Sequence, residues 1–185
     1  MIEKIKETAD KLIEPLQNVK DNGAKNYFQH DFDCSFFQDW NITDIRGSEE
    51  HTEVFNKLGA IKGPVVYWFE ILSPTSTEII RKLISEYKYS EGAKSVPALK
   101  LKYYRESKAL YVGKVKRNFW GRVIQHLGYY QVKRTQGLQL YHWAKNIGLK
   151  VRLHAFEFEP EMEDLISVFE LKFARMLKPI TGKHS

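Results

Sequence analysis

The sequence predicts a mixed α/β (α+β) fold: a small mixed or antiparallel central sheet flanked by helices, carrying an N-terminal helical extension. Three observations predict it. Residues 65–71, 109–115 and 151–158 are short runs rich in β-branched and aromatic side chains. Stretches with apolar residues at helical spacing lie around and between them. The 185 residues provide for one medium-sized core and an appended extension. The division is residues 1–60, an acidic and aromatic extension packing on the core, and residues 61–185, the core domain, with a helix inserted at about 75–98.

In residues 3–19, Ile5, Ala9, Leu12, Ile13 and Leu16 share one helical face, and Pro15 predicts a kink or an early end. Asp21-Asn22-Gly23 is a turn signal. Residues 27–45 mix Phe28, Phe32, Phe36, Phe37 and Trp40 with Asp31, Asp33, Asp39 and Asp44. Acids placed this way could gather a metal, but no ligand spacing on a defined element is evident, which favours a packed extension with a solvated acidic rim. Gly47-Ser48-Glu49-Glu50 offers an N-cap for a short helix ending near Gly59.

Gly63-Pro64 introduces Val65–Ile71, apolar on both faces and therefore a central strand. A helix is predicted over 76–89, with Ile79, Ile80, Leu83, Ile84 and Tyr87 as its stripe. Residues 99–104 and 109–115 flank Arg105-Glu106-Ser107-Lys108, the pattern of a hairpin with a four-residue loop. A short helix follows over 119–127, with Asn118 as N-cap and Gly128 as stop. Further helices are expected over 138–147 and 162–177, the latter with Glu161, Glu163 and Asp164 in its first turn, where the helix dipole favours acids. A strand over 151–158 separates them.

The net charge of +6 is unevenly spread. Residues 1–60 hold 7 cations and 12 acids, whereas residues 100–152 hold 13 cations and a single acid, Glu106. Tyr103, Tyr104, Tyr111, Trp120, Tyr129 and Tyr130 are interleaved with those cations, the composition of a polyanion-binding surface. Nucleic acid, DNA above all, is the expected partner, with Lys114, Lys116, Arg117, Lys133 and Arg134 as candidate phosphate contacts. The acidic extension is a candidate surface for a protein partner or for oligomerisation. A lone cysteine, Cys34, excludes a disulfide framework, and no run approaches the ~18 apolar residues of a membrane helix, so a cytoplasmic, membrane-free protein is expected.

Candidate chemistry centres on Tyr111-Val112-Gly113 and the helix after it. Arg122 and His126 lie four residues apart and therefore on one helical face. Glu170, flanked at helical spacing by Ile166, Ser167, Phe173 and Ala174, sits at the edge of an apolar stripe and needs a partner, either a protein cation or a metal ion. His142 and His154 lack partners at zinc-ligand spacing and read as structural. Thr181-Gly182-Lys183 lacks the upstream glycine of a phosphate loop.

These residues resemble the GIY-YIG nuclease superfamily. Val65-Val66-Tyr67 is similar to its first tripeptide and Tyr111-Val112-Gly113 to its second, followed by Arg122 and His126 on one helix and Glu170 on a later one. The resemblance covers about residues 63–183. Three features depart from the family pattern: Val65 stands where glycine is usual, a helix is inserted between the two tyrosines, and Lys178-Pro179-Ile180-Thr181-Gly182-Lys183-His184-Ser185 lacks the usual asparagine. The insertion makes Tyr103 a competitor of Tyr67 for the first tyrosine role. The resemblance implies a metal-dependent endonuclease with catalytic Tyr67, Tyr111, Arg122, His126 and Glu170. Glu170 would hold magnesium or manganese, and Gly113 would let the backbone turn beside the site. In this scheme Tyr67 orients or deprotonates water, His126 accepts or relays the proton, and Arg122 stabilises the phosphate. The rival expectation is a non-catalytic nucleic-acid-binding module that keeps the fold.

Overall fold

The structure, a computed structural model, describes residues 1–183. Its elements, in order, are α1 (Ile2–Asn22), β1 (Asn26–Asp33), α2 (Thr52–Ala60), β2 (Val65–Ile71), α3 (Thr77–Lys88), β3 (Ala109–Val115), α4 (Phe119–Leu127), α5 (Leu140–Trp143), β4 (Lys150–Glu157) and α6 (Ile166–Leu177). The sheet runs in the order β1-β4-β2-β3, antiparallel throughout. Among the described residues no helix is long and apolar enough to cross a membrane.

β2 is central, as its two apolar faces require. Val65, Tyr67, Phe69 and Ile71 join the main core beneath α2, α4 and the 138–149 segment. Val66 on the opposite face packs with Phe158, Met162 and Ile166, and Trp68 stacks on Phe173 of α6. Helices therefore cover both faces of the sheet. Glu157 anchors the start of β2 by accepting the Lys62 and Gly63 backbone N–H groups and the Asn26 amide.

Four expectations are corrected. Residues 99–104 form no strand: the outer edge of β3 is occupied by Ile180 and Thr181, whose N–H groups donate to Ala109 and Leu110, and Leu99 makes one isolated bridge to Thr181. The extension supplies a strand of its own, β1. Its Asp31 and Asp33 lie opposite Arg152 and Lys150 and form ion pairs with them, while Phe32 turns into the core. Helix α1 does not end early at Pro15 but continues to Asn22; the hydrogen bond that Pro15 cannot make would have used the Lys11 carbonyl, beside an open crevice that water can reach. Finally, α6 begins only at Ile166, after a 3-10 turn at Pro160–Met162, so Glu163 and Asp164 pair with Lys116 and Arg117 rather than capping a helix.

Smaller departures follow local backbone geometry. Asn118 precedes α4 in the left-handed region without a capping side-chain bond, whereas Gly128 ends the helix in that region as expected. The predicted 138–147 helix is broken, with Gln139 left-handed before α5 and a 3-10 turn at Lys145–Ile147 after it.

Candidate active site

Adjacent strands β2 and β3 place Tyr67 directly opposite Gly113. Because side chains alternate across a strand, Tyr67, Tyr111 and Gly113 share one face, the face on which α4 packs. The expected turn at Gly113 is corrected, since the residue lies within β3; what it provides is room, because a Cβ at this position would lie 2.7 Å from Tyr67 Oη and 2.6 Å from a Tyr111 ring carbon. No side chain larger than hydrogen fits without displacing a tyrosine.

Helix α4 brings Arg122 and His126 over this pair. Arg122 Nε–H donates to Tyr67 Oη at 3.1 Å, and Arg122 Nη2 reaches Tyr111 Oη at 3.4 Å. The other guanidinium nitrogen, Nη1, donates to Gln125 Oε1 at 2.7 Å and to the Gln136 carbonyl at 2.6 Å. The fork is therefore fixed from both sides, a use of its planar donors that lysine could not reproduce. Gly137 lets the 136–138 segment approach α4 so closely, since a Cβ there would stand 2.3 Å from the Gln125 carbonyl oxygen.

His126 is fully buried, and Tyr67 Oη lies 2.8 Å from its Nε2. The Leu138 N–H donates to Nδ1 at 3.2 Å, so Nδ1 is the acceptor nitrogen and Nε2 carries the proton. Burial, reinforced by the Arg122 charge, holds the imidazole well below its usual pKa, and it stays neutral. His126 thus donates to Tyr67. The expected role of His126 as acceptor of a Tyr67 proton is corrected for this state, because Nδ1 is engaged and Nε2 is the donor.

Tyr67 Oη therefore accepts two bonds, from His126 and from Arg122. Its pKa is raised, by burial first and then by Tyr111 and Glu170, against the opposing pull of Arg122. Desolvation outweighs the cation, so the phenol keeps its proton at neutral pH. With 0% exposure, Tyr67 lies beneath Tyr111 and Arg122, which are half-buried and form the outer layer of the cluster. Tyr103 is elsewhere, its ring covered by the Arg81 guanidinium at 3.8 Å.

Glu170 comes from α6, on the Val66 and Trp68 face of the sheet. The carboxylate is 11% exposed and accepts from Lys114 Nζ at 2.5 Å, the side chain on β3 that leaves from that same face. Its charge still reaches Tyr67. A magnesium ion is commonly held by one or two carboxylates, water and substrate phosphate; Glu170 offers one carboxylate, and the Lys114 ammonium occupies the place of a cation there. No group of three or more His, Cys, Asp or Glu side chains that could cage a metal occurs among the described residues.

The remaining predicted cations divide into two kinds. Lys116 and Arg117 lie within 3.1–3.5 Å of Glu163 or Asp164, whereas Lys133 and Arg134 are exposed on the loop after α4. That loop is tethered by Lys94, whose buried ammonium donates to the Gly128 and Tyr130 carbonyls and lies 3.6 Å from the centre of the Trp40 ring. Burial lowers its pKa to about 8.

Sequence reasoning did not find Gln125, the Leu138 N–H or the Lys114 to Glu170 pairing. Gln125, three residues from Arg122 on one helix, could have been found by spacing. The others depend on tertiary approach. In comparisons with protein-family models, curated proteins and solved structures, the chain matches none.

Proposed function

We propose that this protein is a metal-dependent endonuclease that hydrolyses phosphodiester bonds in nucleic acid, with DNA as substrate, in the cytoplasm. The observation that carries the reading is the cluster of Tyr67, Tyr111, Arg122 and His126. Two strands and one helix converge to fix a guanidinium fork beside two phenols. A phosphate entering over Tyr111 would meet Arg122, whose donors stabilise charge as it builds on the phosphoryl oxygens. Tyr67, neutral, buried and held by His126, keeps Arg122 in place from beneath, and Tyr111 in the outer layer positions the phosphate or the attacking water. Glu170 would hold magnesium or manganese in exchange for Lys114, and the ion would supply Lewis-acid neutralisation of phosphate charge.

Plasmid nicking with magnesium, compared with chelator, tests the reading. Arg122→Ala and Glu170→Ala are each expected to slow cleavage by about 100- to 1000-fold, the scale of one lost transition-state contact. Near-wild-type nicking by both overturns it. The Lys114 to Glu170 pair favours a second reading, a binding module in which lysine replaces the metal. Magnesium-independent DNA binding without any nicking would identify that case.

A further inference from the structure

Helix α1 is 21 residues long and has no buried residue, although Val19 and Ala24 at its foot pack against the Phe158 and Met162 cluster. A helix of this length gains its stability in water mainly by packing an apolar face. Ile2, Ile5, Leu12, Ile13 and Leu16 remain 38–73% exposed. The side of α1 that faces its own domain is centred elsewhere: Lys11, Glu14, Pro15, Asn18 and Asn22 line the crevice there, and Val19 is the one residue of the stripe that reaches it. At 100° per residue the apolar stripe lies about 120° around the helix from that side.

The stripe has the spacing of a coiled-coil seam. Ile2, Ile5, Ala9, Leu12, Leu16 and Val19 recur at intervals of three and four, giving Ile2, Ala9 and Leu16 at a positions and Ile5, Leu12 and Val19 at d positions. The acids Glu3, Glu7, Asp10, Glu14 and Asp21 all fall at outer positions. The positions flanking the seam hold Met1, Lys6, Thr8, Ile13, Pro15, Lys20 and Asn22, so the flanks carry no acid.

We propose that α1 pairs with α1 of a second copy of this chain as an antiparallel two-stranded coiled coil. The seam is symmetric about its centre, so an antiparallel partner aligns Ile5 with Leu16 and Ala9 with Leu12, and the reverse, and sets Ile2 at the end of the seam beside Val19, whose inner side packs on its own domain. Each small residue then meets a large one, whereas a parallel pair would set Ala9 against Ala9 and leave a void. Lys6 lies over Ile13 of the other copy, with its stem on apolar surface and no like charge opposite. The antiparallel arrangement also opposes the two helix dipoles and keeps the two basic domains at opposite ends of the pair. Five large side chains from each copy, at ~100 Å² apiece, bury on the order of 1,000 Å², the lower bound of a specific interface. The pairing stands independently of whether the Tyr67 cluster cleaves nucleic acid.

Sedimentation equilibrium of the full chain at tens of micromolar tests it. Wild type is expected at twice the 21.8 kDa chain mass, and Ile5→Glu with Leu12→Glu is expected to be monomeric. The double variant Ile5→Ala with Leu12→Ala retains helix-forming residues and is expected to weaken the dimer at least tenfold, while the outward-facing Glu7→Ala leaves it unchanged. For orientation, Ile5→Cys mixed with Leu16→Cys is expected to cross-link on oxidation, and Ile5→Cys alone is not; Cys34 is buried and does not compete. A monomeric wild type, a dimer that survives both double variants, or rapid cross-linking by Ile5→Cys alone overturns the proposal.

Discussion

His126 Nε2 lies 2.8 Å from Tyr67 Oη, and the direction of that bond is set from the other side of the imidazole, where the Leu138 N–H occupies Nδ1. Burial and the Arg122 charge keep the imidazole neutral, and the Leu138 N–H, toward which a protonated ring would turn a donor, fixes the tautomer that donates to the phenol. Nitrogen NMR is expected to show His126 as the Nε2–H tautomer with no titration between about pH 5 and 8. A His126 ring titrating near its ordinary pKa would remove the fixed-tautomer argument.

The same burial has a consequence for acid stability. His30, His51, His126 and His142 all have lowered pKa values with burial as the largest cause, His142 reaching about 4. Unfolding restores the ordinary value of about 6.5, so below that pH the unfolded chain binds more protons than the folded one. Stability is therefore fully present above pH 6.5 and is lost as pH falls toward the folded pKa values. Thermal melts are expected to drop steadily between about pH 6.5 and 4, and His142→Phe, which keeps the stack on Tyr87, should flatten part of that slope. A melting temperature constant across this window would contradict the assignment.

Gly113 offers a test of the site that leaves every polar group in place. Gly113→Ala adds one methyl group against Tyr67 Oη and the Tyr111 ring, and both neighbours belong to rigid aromatic side chains. Overpacking of this kind costs about 1–3 kcal/mol and moves the rings off their partners. The variant is expected to fold with lowered stability and to lose cleavage nearly as fully as Arg122→Ala. Wild-type stability and activity together would show that the close approach of Gly113 to the two tyrosines is not required.

How much of this was legible beforehand depended on whether a residue's role is local. The β2 and β3 runs, the α4 span and the placement of Arg122 and His126 on one helix all follow from side-chain periodicity, and the structure has them. β1 escaped because its alternation is carried by Phe28 and Phe32 while Asp31 and Asp33, which mimic a loop, are neutralised across the strand by Arg152 and Lys150. The false hairpin arose because a short β-rich run looks the same whether or not an edge is open to it, and residues 180–181 had taken that edge. The tautomer of His126 depends on Leu138, twelve residues away, and was beyond any spacing rule.

Cations in the basic segment should contribute unequally to nucleic-acid binding. Lys133 and Arg134 are exposed, whereas Lys116 and Arg117 must share their charge with Glu163 and Asp164, and ion pairs at this degree of exposure are worth only about 0–1 kcal/mol. A phosphate can therefore displace those acids at modest cost, and removing the acids should help it. Lys133→Ala with Arg134→Ala is expected to weaken DNA binding and to reduce the dependence of log K on log salt by roughly 2, about one per lost phosphate contact. Glu163→Gln with Asp164→Asn is expected to tighten binding, most visibly at low salt. Fluorescence anisotropy across a salt series measures both, and a flat salt dependence of the wild type would remove the phosphate-tracking role from all four cations.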